Sequence, residues 1–134
     1  MVSLHHVGFV VKSIAEVGQE FALSTGTEWN GEIIHDPLQR ARVSFFQPPG
    51  TGAPAIELVE PAGADSPVEA FLNKRGGGLH HLCYEVDSLE SKLEWHRSQH
   101  DLVLRAPVPA VAFGGRRIAW VYTRHKLLVE YLER

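Results

Sequence analysis

Two histidine pairs at one constant spacing are the residues of this sequence best suited to chemistry. The run Leu4-His5-His6-Val7-Gly8 returns as Leu79-His80-His81-Leu82-Cys83, so the offset between the copies is 79 − 4 = 75. A duplication on this scale predicts two copies of one structural module, and it decides how the rest of the chain is interpreted.

A glutamate recurs in the same way near the end of each copy. The strand pattern Ile56-Glu57-Leu58-Val59-Glu60 corresponds to Val129-Glu130-Tyr131-Leu132-Glu133, with an offset of 130 − 57 = 73. The distance along the chain from histidine to glutamate is 57 − 6 = 51 in the first copy and 130 − 81 = 49 in the second. Two modules related by a pseudo-twofold axis bring two histidines and two glutamates together. The predicted set is His6, Glu57, His81 and Glu130.

Imidazole nitrogens and carboxylate oxygens together suit a divalent ion of Zn, Co, Ni, Fe or Mn. Four such ligands leave octahedral positions open for water or substrate, and an open metal polarises a carbonyl or stabilises an enolate. Either Glu57 or Glu130 could leave the metal and act as a base. The alternative is a duplication that kept its symmetric packing and lost its metal.

Strand alternation separates the two histidines of each pair. Residues 4–11 alternate as a strand, so His5 and His6 point to opposite faces. The face of His5 carries the bulkier apolar residues and should meet the helices, which leaves His6 on the face of the predicted site. The same parity separates His80 from His81. We therefore interpret His5 and His80 as structural or supporting residues.

Helix starts and strand patterns give each copy the order β-α-β-β-β. Ser13 and Ser66 occupy N-cap positions before helical patterns, and Ser88, the repeat counterpart of Ser13, leads into the helix of the second copy. Residues 107–109 are predicted as a loop. The expectation is an α+β protein made of one domain, residues 1–134. It has module one at about 1–61, a linking helix at about 65–75 and module two at about 78–134.

Composition and charge argue against several classes of protein. The net charge of −3 is atypical of a nucleic-acid surface, and the chain lacks an apolar run long enough to span a bilayer. The single Cys83 permits no internal disulfide and is interpreted as a small buried thiol. We expect a soluble cytoplasmic protein without a signal peptide. The run Arg124-His125-Lys126 is interpreted as a solvated hairpin tip.

At the repeated residues the sequence resembles the vicinal oxygen chelate superfamily. This superfamily includes glyoxalase I, methylmalonyl-CoA epimerase, extradiol dioxygenases and fosfomycin or bleomycin resistance proteins. The likeness is strongest to the branch of methylmalonyl-CoA epimerase and glyoxalase I. It rests on Leu4-His5-His6-Val7-Gly8, Ile56-Glu57-Leu58-Val59-Glu60-Pro61, Asp65-Ser66-Pro67-Val68, Gly78-Leu79-His80-His81 with Glu85-Val86-Asp87, and Val129-Glu130.

The resemblance implies two βαβββ modules that form an incomplete barrel around a metal, usually in a homodimer. It also implies an epimerase, isomerase or lyase acting on an acyl-CoA, another thioester or a hemithioacetal. The metal ligands it implies are His6, Glu57, His81 and Glu130.

Two stretches depart from the epimerase pattern. Where epimerases have a Glu-Gln-Gly-Val-like run before the third strand, this chain has Leu38-Gln39-Arg40-Ala41. Before the last strand, epimerases usually have a Pro-Lys turn that contains glycine. This chain has a shorter hairpin without glycine, Tyr122-Thr123-Arg124-His125-Lys126. Both stretches shape the substrate pocket in the family, so the substrate is expected to be determined there.

Two other classes of function stay open beside the epimerase. An extradiol-type dioxygenase typically holds Fe(II) with two histidines and one carboxylate, one ligand fewer than the set predicted here. A non-catalytic protein that binds or sequesters a small molecule would keep the fold without the reaction.

Overall fold

A computed structural model describes residues 1–50 and 52–134. The described residues form nine strands, three α-helices and one turn of 3-10 helix at Val111–Phe113. In chain order the elements are β1 (Ser3–Val10), α1 (Ile14–Thr25), β2 (Ile34–Asp36), β3 (Ala41–Phe46), β4 (Ala55–Pro61), α2 (Pro67–Arg75), β5 (Gly78–Val86), α3 (Leu89–Ser98), β6 (Leu102–Val103), β7 (Val108–Pro109), β8 (Arg117–Tyr122) and β9 (Leu128–Glu133).

The chain divides into two compact units, the first spanning His6–His80. Its strands follow the order β2-β3-β4-β1, with β1 and β4 parallel and the other pairs antiparallel. Helix α1 packs against this sheet through a core of Ile14, Phe46 and Leu58. Phe9 joins this core from β1, which confirms that the odd-numbered face of the first strand meets the helix.

The second unit consists of Met1–His5 and His81–Arg134. Its strands follow the order β5-β9-β8, and both β6 and β7 pair with β8. Again the first and last long strands, β5 and β9, are parallel. The module order β-α-β-β-β predicted from the sequence is therefore confirmed in the first copy, and the second copy has the same order with one additional short strand, β7.

The helix boundaries follow the predicted cap residues. The Ser13 hydroxyl accepts a hydrogen bond from the Glu16 amide at 3.3 Å, and Ser88 accepts one from the Ser91 amide at 3.2 Å. Ser66 caps α2 with Pro67 at its first position. Each cap satisfies an amide that the helix leaves without a partner, which is why these three serines start helices.

One glycine of the 76–78 run is required by a close backbone approach. Gly77 has a φ of +109°, and a Cβ placed on it would lie 2.7 Å from the carbonyl oxygen of Val10. A side chain at this position would meet both backbone strain and a clash. A glycine is therefore required at position 77, where the chain turns from α2 into β5.

The region before β8 differs from the prediction. Residues 107–109 were expected to form a loop, but Val108 and Pro109 pair with Ile118 and Arg117 as the short strand β7. The prediction was wrong because a two-residue strand is too short to show alternation. No helix among the described residues is long and apolar enough to cross a membrane.

Candidate functional site

The first predicted histidine and glutamate meet inside the His6–His80 unit. Glu57 on β4 is the register partner of Gly8 on β1, and His6 lies two residues earlier on the same face. The Nε2 atom of His6 lies 3.4 Å from Oε1 of Glu57, and both side chains are buried. The ring of Phe45, the cross-strand partner of Glu57, packs edge-on against the His6 ring at 5.6 Å.

The second unit repeats this arrangement. Glu130 on β9 is the register partner of Cys83 on β5, and His81 lies two residues earlier. The Nε2 atom of His81 lies 3.4 Å from Oε1 of Glu130, and both side chains are again buried. Trp120, the cross-strand partner of Glu130, packs edge-on against His81 at 4.8 Å.

The aromatic neighbours were missed by the sequence analysis. Phe45 and Trp120 are separated by 120 − 45 = 75, the same offset as the histidine pairs. The repeat therefore contained a signal for them, but the two residues differ in type. Each ring packs edge-on against its histidine and so restricts the rotation of the imidazole.

The donor atoms of each pair fit a divalent ion. The separation of 3.4 Å is longer than an ordinary N–H···O hydrogen bond of about 2.9 Å. Two ligand atoms about 2.1 Å from one ion lie about 3.0 Å apart at a right angle and about 3.4 Å apart at the tetrahedral angle. Buried imidazole and carboxylate groups at this spacing are therefore suited to share a metal.

The neighbouring histidines, His5 and His80, pack against aromatic side chains. The His5 ring packs edge-on against Phe113 at 5.4 Å, and the His80 ring packs edge-on against Phe71 of α2 at 4.9 Å. Cys83 is fully buried in a cluster with Ile118 and Leu132, as expected for a small buried thiol.

Sequence comparison places this chain in a family. A model of the Glyoxalase/Bleomycin resistance protein/Dioxygenase superfamily matches residues 5–120. The chain belongs to this superfamily. The resemblance stated from the sequence is thereby confirmed.

The relatives of this superfamily member include an epimerase. The uncharacterized protein YqjC of Bacillus subtilis is 34% identical over 133 residues, which cover 97% of this chain and 91% of that protein. The ethylmalonyl-CoA/methylmalonyl-CoA epimerase of Cereibacter sphaeroides is 28% identical over 122 residues, which cover 90% of this chain and 88% of that protein.

Among solved structures, the methylmalonyl-CoA epimerase of Mycobacterium tuberculosis matches with a TM-score of 0.85 and 25% identity. The match covers 97% of this chain and 86% of that protein. The α+β fold class predicted from the sequence is confirmed by this likeness.

In this superfamily member, the last strand of each module carries a second glutamate, and this glutamate holds the start of a helix in place. Glu60 on β4 accepts a hydrogen bond from the Ile14 amide at the start of α1 at 2.9 Å and one from Arg42 of β3 at 3.3 Å. Each carboxylate lies at the positive end of a helix, where negative charge is favourable. We call these contacts the helix clamps.

The helix clamp of the second unit has the same parts. Glu133 on β9 accepts from the Leu89 amide at the start of α3 at 3.3 Å and from both Nε and Nη2 of Arg117 of β8. The sequence repeat pairs Glu60 with Glu133, so it could have identified the clamps.

A buried hydrogen-bonded relay, with no counterpart in the predictions, ties α3 to β9. The Nδ1 atom of His96 lies 2.7 Å from a carboxylate oxygen of Asp101, and Nε2 lies 2.7 Å from the hydroxyl of Tyr131. The hydrogen bond from His96 holds the pKa of Asp101 below its usual range, whereas burial raises the pKa of Tyr131 to about 12. An ionised Asp101 only accepts, so Nδ1 of His96 carries a proton, and when the imidazole is neutral the Tyr131 hydroxyl donates to Nε2.

Removing the Tyr131 hydroxyl should therefore destabilise the protein. The substitution Tyr131→Phe leaves Nε2 of the buried His96 without its donor, and we expect the free energy of unfolding to fall by about 1–3 kcal/mol. Denaturant unfolding measures the change. The matched control is Tyr122→Phe on β8, where the side chain is exposed and a change within about 0.5 kcal/mol is expected. Equal effects from the two substitutions would show that the relay adds no stability.

Proposed function

We propose that this chain is a divalent-metal-dependent epimerase that transfers a proton next to the carbonyl of a CoA thioester. The observation that carries the proposal is the buried His–Glu pair, present once in each unit with the same 3.4 Å separation. The epimerase of Cereibacter sphaeroides supports the substrate class, since its name gives ethylmalonyl-CoA and methylmalonyl-CoA as its substrates.

In this proposal residues 1–134 act as a single domain, and the two pairs form one site. The repeat supports the joint site because each module contributes the same residue types from equivalent strands. A lone buried pair would offer only one nitrogen and one oxygen ligand. The proposed ligands are His6, Glu57, His81 and Glu130.

Different side chains hold the metal, transfer the proton and orient the histidine rings. A divalent ion held by this set would polarise the thioester carbonyl and stabilise the charge that develops when the neighbouring carbon loses its proton. A carboxylate oxygen of one glutamate, Glu57 or Glu130, removes that proton from one side of the carbon, and the other glutamate, in its protonated form, gives a proton to the opposite side and so inverts the centre. Phe45 and Trp120 keep the two histidine rings oriented.

Exchange of the α-proton tests the proposal directly. Protein supplied with Co²⁺ and incubated with methylmalonyl-CoA in deuterated water should incorporate deuterium at the α-carbon, as measured by NMR. Chelator-treated protein should lose this exchange and regain it when the ion is returned. A metal-loaded protein that exchanges no α-proton would refute the epimerase, and oxygen consumption with a catechol would favour a dioxygenase instead.

We also propose that the enzyme acts in the cytoplasm as a homodimer. The family resemblance supports the dimer, and the single cysteine, buried within the second unit, suits a reducing compartment.

A further inference from the structure

An apolar strip leads away from Glu130 along one face of the second unit. In register, Trp120 lies opposite Glu130, Tyr122 lies opposite Leu128, and Leu102 of β6 lies opposite Tyr122. Side chains paired across strands point to the same face, and every second residue shares it. Trp120, Tyr122 and Leu102 therefore lie on the face of Glu130. The alternate residues, including Val103 and Val121, pack toward α3 instead.

Exposure rises along this face with distance from the glutamate. Glu130 is 3% exposed, whereas Tyr122 is 41% exposed and Leu102 is 58% exposed. Leu104, whose amide bonds to the carbonyl of Trp120, is 50% exposed. We call Leu102, Leu104 and Tyr122 the outer strip. A group of large apolar side chains left open beside a buried glutamate indicates a surface that another molecule covers.

The outer strip ends at a turn with three consecutive basic side chains. We call Arg124, His125 and Lys126 the basic turn, and all three are exposed. The backbone of this turn is fixed, since the Lys126 amide bonds to the Thr123 carbonyl at 2.8 Å and the Arg124 amide bonds to Asp101 at 2.7 Å. The chain as a whole has a net charge of −3, so this concentration of positive charge is local.

The order of these features matches the order of groups in a CoA thioester. Such a molecule has a reacting acyl group, a long uncharged arm and a phosphorylated nucleotide. Lys126 lies four positions before Glu130, and β9 begins at Leu128, so the two residues are at most about 13 Å apart at about 3.3 Å per residue. The uncharged arm can therefore lie between Lys126, near the phosphates, and Glu130, near the acyl group.

We propose that the outer strip binds the arm of the CoA thioester and that the basic turn binds its nucleotide phosphates. The proposal rests on the proposed function and adds the surface by which the enzyme recognises CoA. Arg124 and Lys126 provide the cations that pair with phosphate oxygens. Tyr122 and Leu102 provide apolar contact with the arm and set its direction toward Glu130.

Kinetics with two substrates of different length test this surface. The KM of metal-loaded protein is measured for methylmalonyl-CoA and for methylmalonyl-pantetheine, which lacks the nucleotide. The double variant Arg124→Gln/Lys126→Gln should raise the KM for the CoA thioester relative to that for the short thioester. We expect a relative rise of roughly 2- to 30-fold at low salt, since two exposed ion pairs are removed. Added salt should shrink the effect.

A charge-matched control lies on α2. The double variant Lys74→Gln/Arg75→Gln removes two exposed positive charges from the other unit and should keep the wild-type ratio of the two KM values. An equal change in both double variants, or a wild-type protein that does not distinguish the two thioesters, would overturn the proposal.

Two further measurements separate the possible failures. If neither thioester undergoes exchange, the proposed function fails. Calorimetry with free CoA then tests the surface alone, and binding that the Arg124→Gln/Lys126→Gln variant does not weaken would overturn the proposal. If Tyr122→Ser changes the mass of the protein in solution and leaves CoA binding intact, the outer strip is an interface between copies and the proposal is wrong.

Discussion

Replacing His81 with alanine should abolish stoichiometric binding of a divalent metal and leave most of the fold intact. We expect this result because His81 provides a buried nitrogen 3.4 Å from Oε1 of Glu130, within the coordination sphere that we propose. Loss of a group that only supports a ligand typically weakens metal affinity by about 10- to 100-fold, so loss of a ligand should exceed about 100-fold. Elemental analysis gives the metal content and circular dichroism follows the fold.

The neighbouring histidine gives a matched control. His80 immediately precedes His81 in the chain, but its ring packs against Phe71 of the linking helix. The His80→Ala variant should keep its metal and lose some stability as its contact with the aromatic ring is lost. A His81→Ala variant that retains one metal per chain would contradict the proposed site.

Substituting Glu57 and Glu130 one at a time should show which of the two glutamates is the base. In Glu57→Gln and Glu130→Gln, the amide oxygen can still reach an ion, but the amide cannot take up a proton under ordinary conditions. The variant that removes the base should exchange the α-proton about 10²- to 10⁴-fold more slowly, the contribution typical of a positioned general base. Deuterium incorporation and metal content are measured on the same samples.

The comparison has a control on the protein surface. Glu94→Gln changes an exposed carboxylate of α3 and should leave the exchange rate unaltered. If Glu57→Gln and Glu130→Gln both retain wild-type exchange with full metal content, neither glutamate is the base and the proposed proton transfer is wrong. If both variants lose their metal, each glutamate is primarily a ligand.

The main features of each half-site could be predicted because the chain repeats itself. A histidine or a strand glutamate alone carries little information, but four such residues in register define two equivalent positions. Strand parity then separated His81 from His80, and the structure places His81 beside Glu130 and the His80 ring against Phe71. Cap residues fixed the helix starts at Ser13, Ser66 and Ser88 because their hydrogen bonds are local in sequence.

The features that were missed depend on contacts between residues that are distant in sequence. The relay joins His96 to Tyr131 across 35 residues, a contact that no local sequence pattern indicates. Strand β7 exists because β8 offers it hydrogen bonds, not because two residues have a strong preference for extended backbone. The outer strip likewise required the register of β6 against β8.

The helix clamps couple local unfolding of each helix to disruption of the proposed site. Glu57 and Glu60 lie on the same strand, and Glu60 also holds the start of α1. Release of that helix therefore frees the strand that bears a proposed ligand, and displacement of the strand withdraws the carboxylate from the helix. Each proposed glutamate ligand therefore lies on a strand that opens together with its helix as one cooperative unit, not on a mobile loop. Slow amide exchange at Ile14 and Leu89 would consequently accompany slow release of the ion, although neither amide touches it.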